Sequence, residues 1–512
     1  MLLRGALASL PLSHPLDHHA AFVSSSTNSS VLCQGLLEPS FFKDYSHNLV
    51  LNSNASSPTT SKSSHGNQMK GFVSSIARAH KKHSQQHSLD HHHRSQVHLR
   101  LRRRRHHRHQ EFPTTSVAVV NLTNILHNVE NILKLAREHN SQVKIMPVVK
   151  ANAYGHGDVP IVKELLKEMN IHRFAVNRVL EGVKIRKALQ KENFNDVDIL
   201  VLGYAIPTEV KNCVTFDLTP TISGDPLIIE TLFDECVKQD KKIKVHVKID
   251  TGMGRFGLLP NKVESFLHWF TNNPRNFPSR IILEGVFTHF SSADEKSKDY
   301  TQYQFDKFIE MRKLIETILE ENPNKLQHSN EIIYHCCNSA ATLFYPEMHL
   351  DMVRPGVSIY GLSPSNITND ERLPFQLRPA LSLISHVARV EKLPHKSTVS
   401  YGNTYVVENE YETLALIPVG YGDGYKRINS HKSHVLIGGV ECPVVGRVCM
   451  DQFVVRIPDE IADQVKVNDQ VVLLGKQGDK ELTCEKLSEW SHTINYEIVT
   501  ALLPRLKRIY VK

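Results

Sequence analysis

The sequence lacks several features that mark special classes of protein. Only 8 of its 512 residues are cysteines, which is too few for a disulfide scaffold. No apolar run approaches the roughly 18 residues of a membrane-spanning helix. Glycine and proline number 24 each, which excludes collagen and chain-wide disorder. With 40% hydrophobic and 22% charged residues, the chain has the composition of a globular protein of two or three domains.

Common enzyme signatures are also missing from the sequence. It contains no P-loop, no G-x-S-x-G and no H-E-x-x-H. GMGRFG (252–257) has the form G-x-G-x-x-G, but residues 265–283 include no acidic residue that would bind the ribose of a dinucleotide. A dinucleotide-binding fold is therefore not expected. The cysteines are expected to be buried or free thiols in a reducing compartment.

Positive charge is concentrated at the start of the chain. Residues 1–110 hold 14 Lys and Arg against 4 Asp and Glu, together with 15 of the 30 histidines, whereas the remainder holds 47 against 49. This stretch has no apolar periodicity, so residues 1–114 are predicted to be a disordered basic arm. Arg102–Arg105 suit binding to nucleic acid or an acidic membrane surface, and a solvated tail is the alternative. His91–His93 have no fixed ligand spacing, so no metal site is expected.

The extreme start, MLLRGALASLPL, is too weakly apolar for a convincing signal peptide. We expect a cytoplasmic protein that is not bound to a membrane. The scarcity of acidic residues in the arm leaves an organellar address open.

Residues 115–361 alternate between short apolar strands and amphipathic helices. A helix is predicted over 121–136, and further helices over 161–168, 178–190, 226–238, 261–270, 299–321 and 339–344. Eight buried strands are predicted over 143–150, 173–176, 198–203, 215–222, 244–250, 282–290, 332–339 and 351–361. Eight strand–helix steps in about 245 residues favour a closed (β/α)8 barrel over an open sheet.

The pattern changes after residue 361. Helical periodicity almost vanishes, and short β-branched runs follow at 383–390, 413–421, 434–439, 442–457 and 470–475. Residues 362–512 are therefore predicted to form a mostly β domain with one helical segment over 483–491.

The carboxyl ends of barrel strands carry the chemistry of this fold class. Lys150 ends the apolar strand VKIMPVV, so its amine is expected at the barrel mouth with its stem among apolar groups. Desolvation would lower its pKa and make it a nucleophile or Schiff-base former. A lysine that merely extends its amine into solvent is the alternative.

Around Lys150, the sequence VVKANAYGHG (148–157) resembles the pyridoxal phosphate (PLP) lysine motif of the alanine racemases. Seven more stretches are similar to that family's signatures, in the same order: VKIDTGMGRFGL, EGVFTHFSSAD, CNSAATL, VRPGVSIYGL, VSYGNTY, PVGYGDGY and GRVCMDQ. The resemblance covers roughly residues 115–512. It implies a PLP-dependent isomerase that interconverts L- and D-alanine, built as a barrel and a β domain. It also implies a head-to-tail homodimer in which each β domain completes the partner's site.

The resemblance assigns two bases to opposite faces of the substrate Cα. Lys150 would bind PLP covalently and act on the D enantiomer, and Tyr401 of the other subunit would act on the L enantiomer. A tyrosine with an ordinary pKa of about 10 is a poor base at neutral pH, so it needs a supporting environment. His289 resembles the histidine that serves this tyrosine.

The same resemblance assigns the cofactor contacts. Arg354 would face the pyridine nitrogen and leave it unprotonated, which favours return of the proton over side reactions. The phosphate contacts would be Tyr154, Ser339, Gly356 and Val357. The family also uses a tyrosine near its C-terminus, but the matching position here is Pro504, and neither Tyr496 nor Tyr510 is a safe substitute.

The resemblance also assigns the substrate contacts. Arg255 would orient the substrate carboxylate, and the backbone amide of Met450 would bind it from the partner chain. Lys248 matches a lysine that many members carbamylate, with a plain lysine paired to an acid as the alternative. Tyr421 and Asp451 would line the entrance.

Other functions remain open at this point. A serine racemase or a racemase of broad specificity would share these motifs. A non-catalytic single-barrel PLP protein would lack the β domain and Tyr401, and a decarboxylase on a similar barrel is disfavoured by Arg354. A nucleic-acid-binding protein with a vestigial barrel would rely on the basic arm.

Overall fold

The computed structural model describes residues 116–321 and 328–512. The predicted basic arm, with Arg102–Arg105 and His91–His93, lies outside these residues. The first described strand, β1 (Val117–Asn121), leads into helix α1 (Leu122–Arg137). Asn121 caps this helix by accepting a hydrogen bond from the Asn124 amide at 2.9 Å.

The barrel strands that follow are β2 (Lys144–Ile145), β3 (Arg173–Val176), β4 (Asp198–Tyr204), β5 (Thr219–Ile222), β6 (Ile243–Lys248), β7 (Ile281–Phe287), β8 (His328–His335) and β9 (Met352–Val353). Six of them, β3 to β8, form one parallel sheet in chain order, and β2 pairs in parallel with β9. A bridge between Val148 and Ala175 joins β2 to β3, and the Arg354 amide donates to the Cys337 carbonyl at 3.0 Å beyond β8 and β9. The eight strands thus close into the predicted barrel.

The barrel helices are α2 (Lys150–Tyr154), α3 (Asp158–Met169), α4 (Val179–Gln190), α5 (Pro207–Thr215), α6 (Pro226–Lys238), α7 (Val263–Asn272), α8 (Asp299–Glu321) and α9 (Ser339–Phe344). Helix α5 was not predicted, because PTEVKNCVT buries only Val210, Cys213 and Val214 and so shows a narrow apolar face. Proline at its first position fixes a backbone angle that suits a helix start.

The second part of the chain is dominated by β structure, as predicted. Its strands are β10 (Leu381–His386), β11 (Arg389–Pro394), β12 (Thr398–Val399), β13 (Tyr405–Val406), β14 (Tyr411–Ile417), β15 (His434–Ile437), β16 (Val440–Val445), β17 (Phe453–Arg456), β18 (Gln470–Gln477), β19 (Lys480–Leu482) and β20 (Lys507–Val511). Two helices, α10 (Cys484–Trp490) and α11 (Asn495–Thr500), precede β20. The domain boundaries at 114/115 and 361/362 stay predictions.

The main sheet of this part has the order β11-β14-β17-β16-β15-β18-β10-β1-β20. Adjacent strands in this sheet pair antiparallel, except that β1 and β20 are parallel, with Val117 opposite Lys507. Strand β1 therefore belongs to this sheet although it precedes the barrel in sequence. Buried apolar side chains form one continuous cluster from the barrel into this sheet.

Two smaller predictions concern cysteines and membranes. The seven cysteines in the described ranges are free thiols, and all but Cys449 are buried, as expected. Within the same ranges, no helix is long and apolar enough to cross a membrane.

Candidate active site

Lys150 lies at the barrel mouth, where the sequence predicted it. It follows the bridge at Val148 and begins the short helix α2. Burial lowers the pKa of its amine, the positive charge of Arg255 lowers it further, and the Glu181 carboxylate opposes both effects. This environment favours an uncharged amine, the form that is nucleophilic.

The backbone after Lys150 is left-handed over four consecutive residues that are not glycine, Ala151 to Tyr154, with φ between 51° and 56°. A left-handed helical conformation costs such residues roughly 1–2 kcal/mol each. The turn therefore depends on external contacts. One of these is a hydrogen bond from the Ala151 amide to the Glu181 carboxylate at 2.6 Å.

A cavity of about 370 Å³ opens beside this turn. That volume falls within the range of small-molecule sites. Six of the predicted site residues line it: Lys150, Tyr154, His289, Ser339, Arg354 and Gly356. They come from four strand ends and thus from distant parts of the sequence.

Hydrogen-bonding groups are concentrated at one end of the cavity. The Ser339 hydroxyl accepts from the Gly356 amide at 2.7 Å. Outside the cavity lining, the buried Ser358 hydroxyl has no hydrogen-bond partner among the described residues. A Cβ on residue 356 would lie 2.5 Å from the Tyr154 hydroxyl, so any larger residue would require this hydroxyl to move. Val357 follows as a buried residue. This end presents the hydroxyls of Tyr154 and Ser339, which suit an anion.

Arg354 is buried and is bound by acceptors other than carboxylates. Its guanidinium donates to the Thr288 carbonyl at 2.8 Å, to the Cys336 carbonyl at 3.1 Å and to the His335 ring at 2.7 Å. Burial lowers its pKa to about 10, so it stays positively charged at neutral pH.

A chain of hydrogen bonds runs from Arg354 through the barrel interior. His335 Nε2 lies 2.9 Å from His246 Nδ1, and His246 Nε2 lies 3.2 Å from the Glu284 carboxylate. Burial lowers the pKa of both rings, so both are neutral. Arg354 can only donate and a carboxylate can only accept, so each ring carries its proton on Nε2. We call Arg354, His335, His246 and Glu284 the buried relay.

The buried relay ends at a charged cluster. Glu284 contacts Arg173 at 3.2 Å and Lys244 at 3.0 Å, and both of these cations also pair with Asp198. Its pKa is held well below the ordinary value, because the bond from His246 and the nearby cations outweigh the effect of burial. The carboxylate is therefore ionised.

His289 packs against Arg354, a contact that the sequence did not suggest. Its Nδ1 lies 3.5 Å from the guanidinium, and burial followed by the charge of Arg354 holds its pKa well below the ordinary value. His289 is thus a neutral ring at the cavity wall, with Nδ1 toward a donor.

Lys248 lies at the end of β6 among other cations. Burial, Arg255 and Arg354 lower the pKa of its amine to about 8. The amine lies 5.1 Å from the centre of the Phe256 ring, and no carboxylate lies within ion-pair distance of it in the described part of the chain. The plain ion-paired lysine considered from sequence is therefore not the arrangement observed.

Arg255 belongs to a loop that folds around Asp250. The carboxylate accepts hydrogen bonds at 3.0 Å from the amides of Gly252, Gly254 and Arg255. The glycine-rich sequence thus serves an acid of its own chain rather than a dinucleotide phosphate. Arg255 itself is exposed and does not line the cavity.

Four predicted residues lie in the β part and outside the cavity lining. Tyr401, in the turn between β12 and β13, is 68% exposed, and Met450 and Tyr421 are 53% and 38% exposed. Asp451 pairs with Arg505 at 2.8 Å. Within one chain, the structure does not bring these residues together with Lys150.

The sequence matched Pro504 to the position of the family's C-terminal tyrosine. In the structure, Pro504 is exposed and outside the cavity lining. Tyr496, which sequence reasoning did not accept as a substitute, lines the cavity, and its ring centre lies 6.2 Å from that of Tyr154. Tyr510 instead donates to the His156 carbonyl at 3.1 Å.

Sequence reasoning missed His246, Glu284, His335 and Glu181. The first of these had a signal, because His246 is two residues before Lys248 on a strand, so both side chains lie on the same face. The other three give no comparable signal, because their partners are distant in sequence.

Comparison with known proteins agrees with this arrangement. Residues 120–364 match the family model of the alanine racemase N-terminal domain, and residues 380–510 match that of the alanine racemase C-terminal domain. The chain belongs to the alanine racemase family. This membership confirms the resemblance seen in the sequence and makes the chain an isomerase.

Individual relatives are similar over most of their length. The alanine racemase of Carboxydothermus hydrogenoformans is 39% identical over 396 residues, which cover 77% of this chain and 99% of that protein. The solved alanine racemase of Clostridium difficile 630 has a TM-score of 0.68 at 35% identity, covering 78% of this chain and 96% of its own. A histidine racemase from Leuconostoc mesenteroides has a TM-score of 0.64 at 25% identity, covering 78% and 98%.

Proposed function

We propose that this member of the alanine racemase family interconverts L- and D-alanine with PLP as its cofactor, using Lys150 and Tyr401 as the two bases of a homodimer. One observation carries the proposal. The Lys150 amine, whose pKa is lowered, opens into one cavity with anion donors at one end and the donor Arg354 beside it.

The residues present fit PLP. Tyr154 and Ser339 line the cavity with hydroxyls suited to a phosphate, and Gly356 lines it beside them. The missing Cβ of Gly356 allows the close approach of the Tyr154 hydroxyl. When joined to a substrate amine, PLP withdraws electron density from Cα and so makes its proton removable.

Racemisation needs proton removal on one face of Cα and proton return on the other. Lys150 would hold the proton on the face of the D enantiomer. Tyr401 is largely exposed and outside its own chain's cavity, which supports a role in a second copy's site. The partner subunit's Tyr401 would then take the proton from the L enantiomer.

Arg354 would limit what else can happen to the substrate. It stays charged at neutral pH and can only donate, so it would give the ring nitrogen of bound PLP a hydrogen bond without giving up its proton. Withdrawal of electron density would then be moderate, which would favour return of the proton to Cα over other outcomes. His289, as a neutral ring beside Arg354, would support the partner subunit's Tyr401.

The remaining predicted residues would bind the substrate or line its path. Arg255 and the backbone amide of the partner subunit's Met450 would bind its carboxylate, and Tyr421 and Asp451 of the partner subunit would line the entrance. Lys248 would be carbamylated, since its amine has a pKa of about 8 and lies near the cations Arg255 and Arg354. A carbamate would turn the positive charge of Lys248 into a negative one and hold Arg255 by a charge-assisted bond.

Chiral chromatography tests this proposal. Purified protein is incubated with each L-amino acid, with and without PLP, beside Lys150→Ala and the control Lys144→Ala, which changes an exposed lysine at the start of β2. We expect D-alanine from the wild type and the control only. PLP that can still be trapped on Lys150→Ala by borohydride would contradict the role of Lys150.

A racemase of broader specificity is the second candidate. It is favoured by the likeness to the histidine racemase of Leuconostoc mesenteroides. The same experiment separates the two, because a larger substrate would then give a D product at a rate comparable to alanine.

A further inference from the structure

The left-handed turn over 151–154 positions both Lys150 and Tyr154. Its conformation is costly for residues other than glycine, so it persists only where neighbouring groups fix it. The next residues, Gly155 to Gly157, connect the turn to helix α3. Together with the bond from Ala151 to Glu181, the contacts that fix Gly155–Gly157 therefore set where Lys150 and Tyr154 lie.

His156 is the first of these contacts. It is fully buried, stacks on Tyr360 with 4.5 Å between ring centres, and its Nδ1 lies 2.9 Å from the Tyr154 carbonyl. Burial lowers its pKa to about 4, so Nδ1–H donates from a neutral ring. A contact that fixes the backbone of His156 therefore also acts on the turn, through the hydrogen bond from the His156 ring to the Tyr154 carbonyl.

The groups that hold this segment come from the end of the chain. Arg508, in β20, donates to the Gly155 carbonyl at 3.1 Å and to the carbonyls of Leu502, Leu503 and Leu506 at 2.7 to 2.8 Å. A guanidinium with five donors can bridge these carbonyls, whereas an amine cannot match this geometry. Arg508 therefore ties the loop before β20 to the segment after Lys150.

Tyr510 makes the second connection from β20. Its hydroxyl donates to the His156 carbonyl at 3.1 Å. A Cβ on Gly157 would overlap this hydroxyl, and a Cβ on Gly155 would overlap the Val499 carbonyl. The C-terminal segment thus packs directly against the backbone of 155–157. We call Arg508 and Tyr510 the C-terminal clamp.

We propose that the C-terminal clamp is a pair of positioning residues for Lys150 and Tyr154, and that it sets how tightly and in which orientation PLP is held. This inference rests on the proposed function, since it presumes that Lys150 and Tyr154 bind PLP. Neither clamp residue lines the cavity, so both act through the backbone of 155–157.

Tyr510→Phe gives the sharpest test, because it removes one hydroxyl and keeps the packed ring. The dissociation constant of PLP is measured by equilibrium dialysis, and the visible circular dichroism of bound PLP reports its orientation. We expect the dissociation constant to rise roughly 2- to 10-fold, as for one lost hydrogen bond, and the dichroism to change. The melting temperature of the protein without PLP should stay near that of the wild type.

Two further variants separate positioning from stability. Tyr411→Phe removes an exposed tyrosine hydroxyl on β14 and should leave affinity and dichroism unchanged. Arg508→Lys keeps the positive charge but loses the bridging geometry. It should therefore raise the dissociation constant of PLP although the charge is unchanged. Wild-type PLP affinity and dichroism in both Tyr510→Phe and Arg508→Lys would overturn the inference. Failure of the wild type itself to bind PLP would instead overturn the proposed function.

Discussion

Arg354 and His335 are joined by a hydrogen bond of 2.7 Å in which the arginine donates to Nδ1 of the ring. This bond fixes the tautomer of His335 and, through it, that of His246. The buried relay therefore ends with a hydrogen bond from His246 Nε2 to the Glu284 carboxylate. The negative charge of Glu284 is thereby coupled to the Arg354 guanidinium, which pairs with no carboxylate in the described part of the chain.

The first prediction concerns this coupling. Glu284→Gln keeps an acceptor for His246 but removes the charge, so kcat should fall roughly 3- to 10-fold and its pH profile should shift. Stability should fall by about 1–3 kcal/mol, because Arg173 and Lys244 lose a buried partner. The matched control is Asp198→Asn, which pairs with the same two cations but does not touch His246. If both variants changed kcat equally, the relay would have no specific role.

The second prediction concerns the two bases. In D2O, the Tyr401→Phe variant should exchange the Cα proton of D-alanine for deuterium without converting D-alanine to L-alanine. It should hardly exchange the Cα proton of L-alanine, because Lys150 is intact and the other base is lost. Racemisation should fall equally in both directions, since the equilibrium constant for enantiomers is one. Proton NMR of each enantiomer measures the exchange, and exchange confined to L-alanine would reverse the assignment.

A subunit-mixing experiment tests whether the bases come from different chains. Lys150→Ala and Tyr401→Phe are each expected to be inactive alone. Heterodimers would contain one intact site and one doubly altered site, so activity should return after subunit exchange. No recovery despite demonstrated exchange would place both bases in one chain.

The third prediction concerns stability against pH. The native pKa of His156 is about 4, whereas an unfolded histidine titrates near 6.5. Between these values the unfolded state binds more protons, so stability falls as pH drops, by about 3 kcal/mol at pH 4 from this one group. His156→Gln should lessen this loss in urea unfolding at pH 7 and pH 4, whereas His268→Gln, on an exposed position, should not. Equal losses in all three proteins would contradict the burial argument.

The fourth prediction concerns Lys248. Its amine pKa of about 8 leaves a fraction uncharged at neutral pH, which is the form that reacts with carbon dioxide. With 13C-labelled bicarbonate, the wild type should show a carbamate signal by NMR that is absent in Lys248→Gln. The variant should bind substrate more weakly, because Arg255 loses its negative partner. No labelled signal in the wild type would leave Lys248 as an ordinary amine.

The fifth prediction concerns the basic arm. Residues 1–110 have no apolar periodicity, and the relative from Carboxydothermus hydrogenoformans matches 99% of its own length to 77% of this chain. Deleting them should leave kcat on free alanine nearly unchanged. Retention of the full-length protein on DNA or on acidic vesicles, measured against salt, tests what the arm binds. A large loss of turnover in a folded truncated dimer would show that the arm contributes to the site.

The sequence by itself determined the barrel, the β-rich second part and the position of Lys150. These follow from local pattern: eight apolar runs alternate with helical periodicity, and a lysine ends the first run, so the barrel mouth is its only accessible place. Helix α5 was not predicted because its apolar face is narrow. The sequence of β1 did not indicate that this strand joins the second sheet.

Only the tertiary structure decided the buried relay and the C-terminal clamp. His246 meets His335 across 89 residues of sequence, and Arg508 meets Gly155 across 353. Such contacts leave no periodic trace, because neither partner's neighbours in sequence indicate where the other partner lies. Closing the barrel brings β6 and β8 to either side of β7, and pairing β20 with β1 brings the chain end against the turn after Lys150. Chain closure, rather than local pattern, therefore sets the surroundings of Lys150.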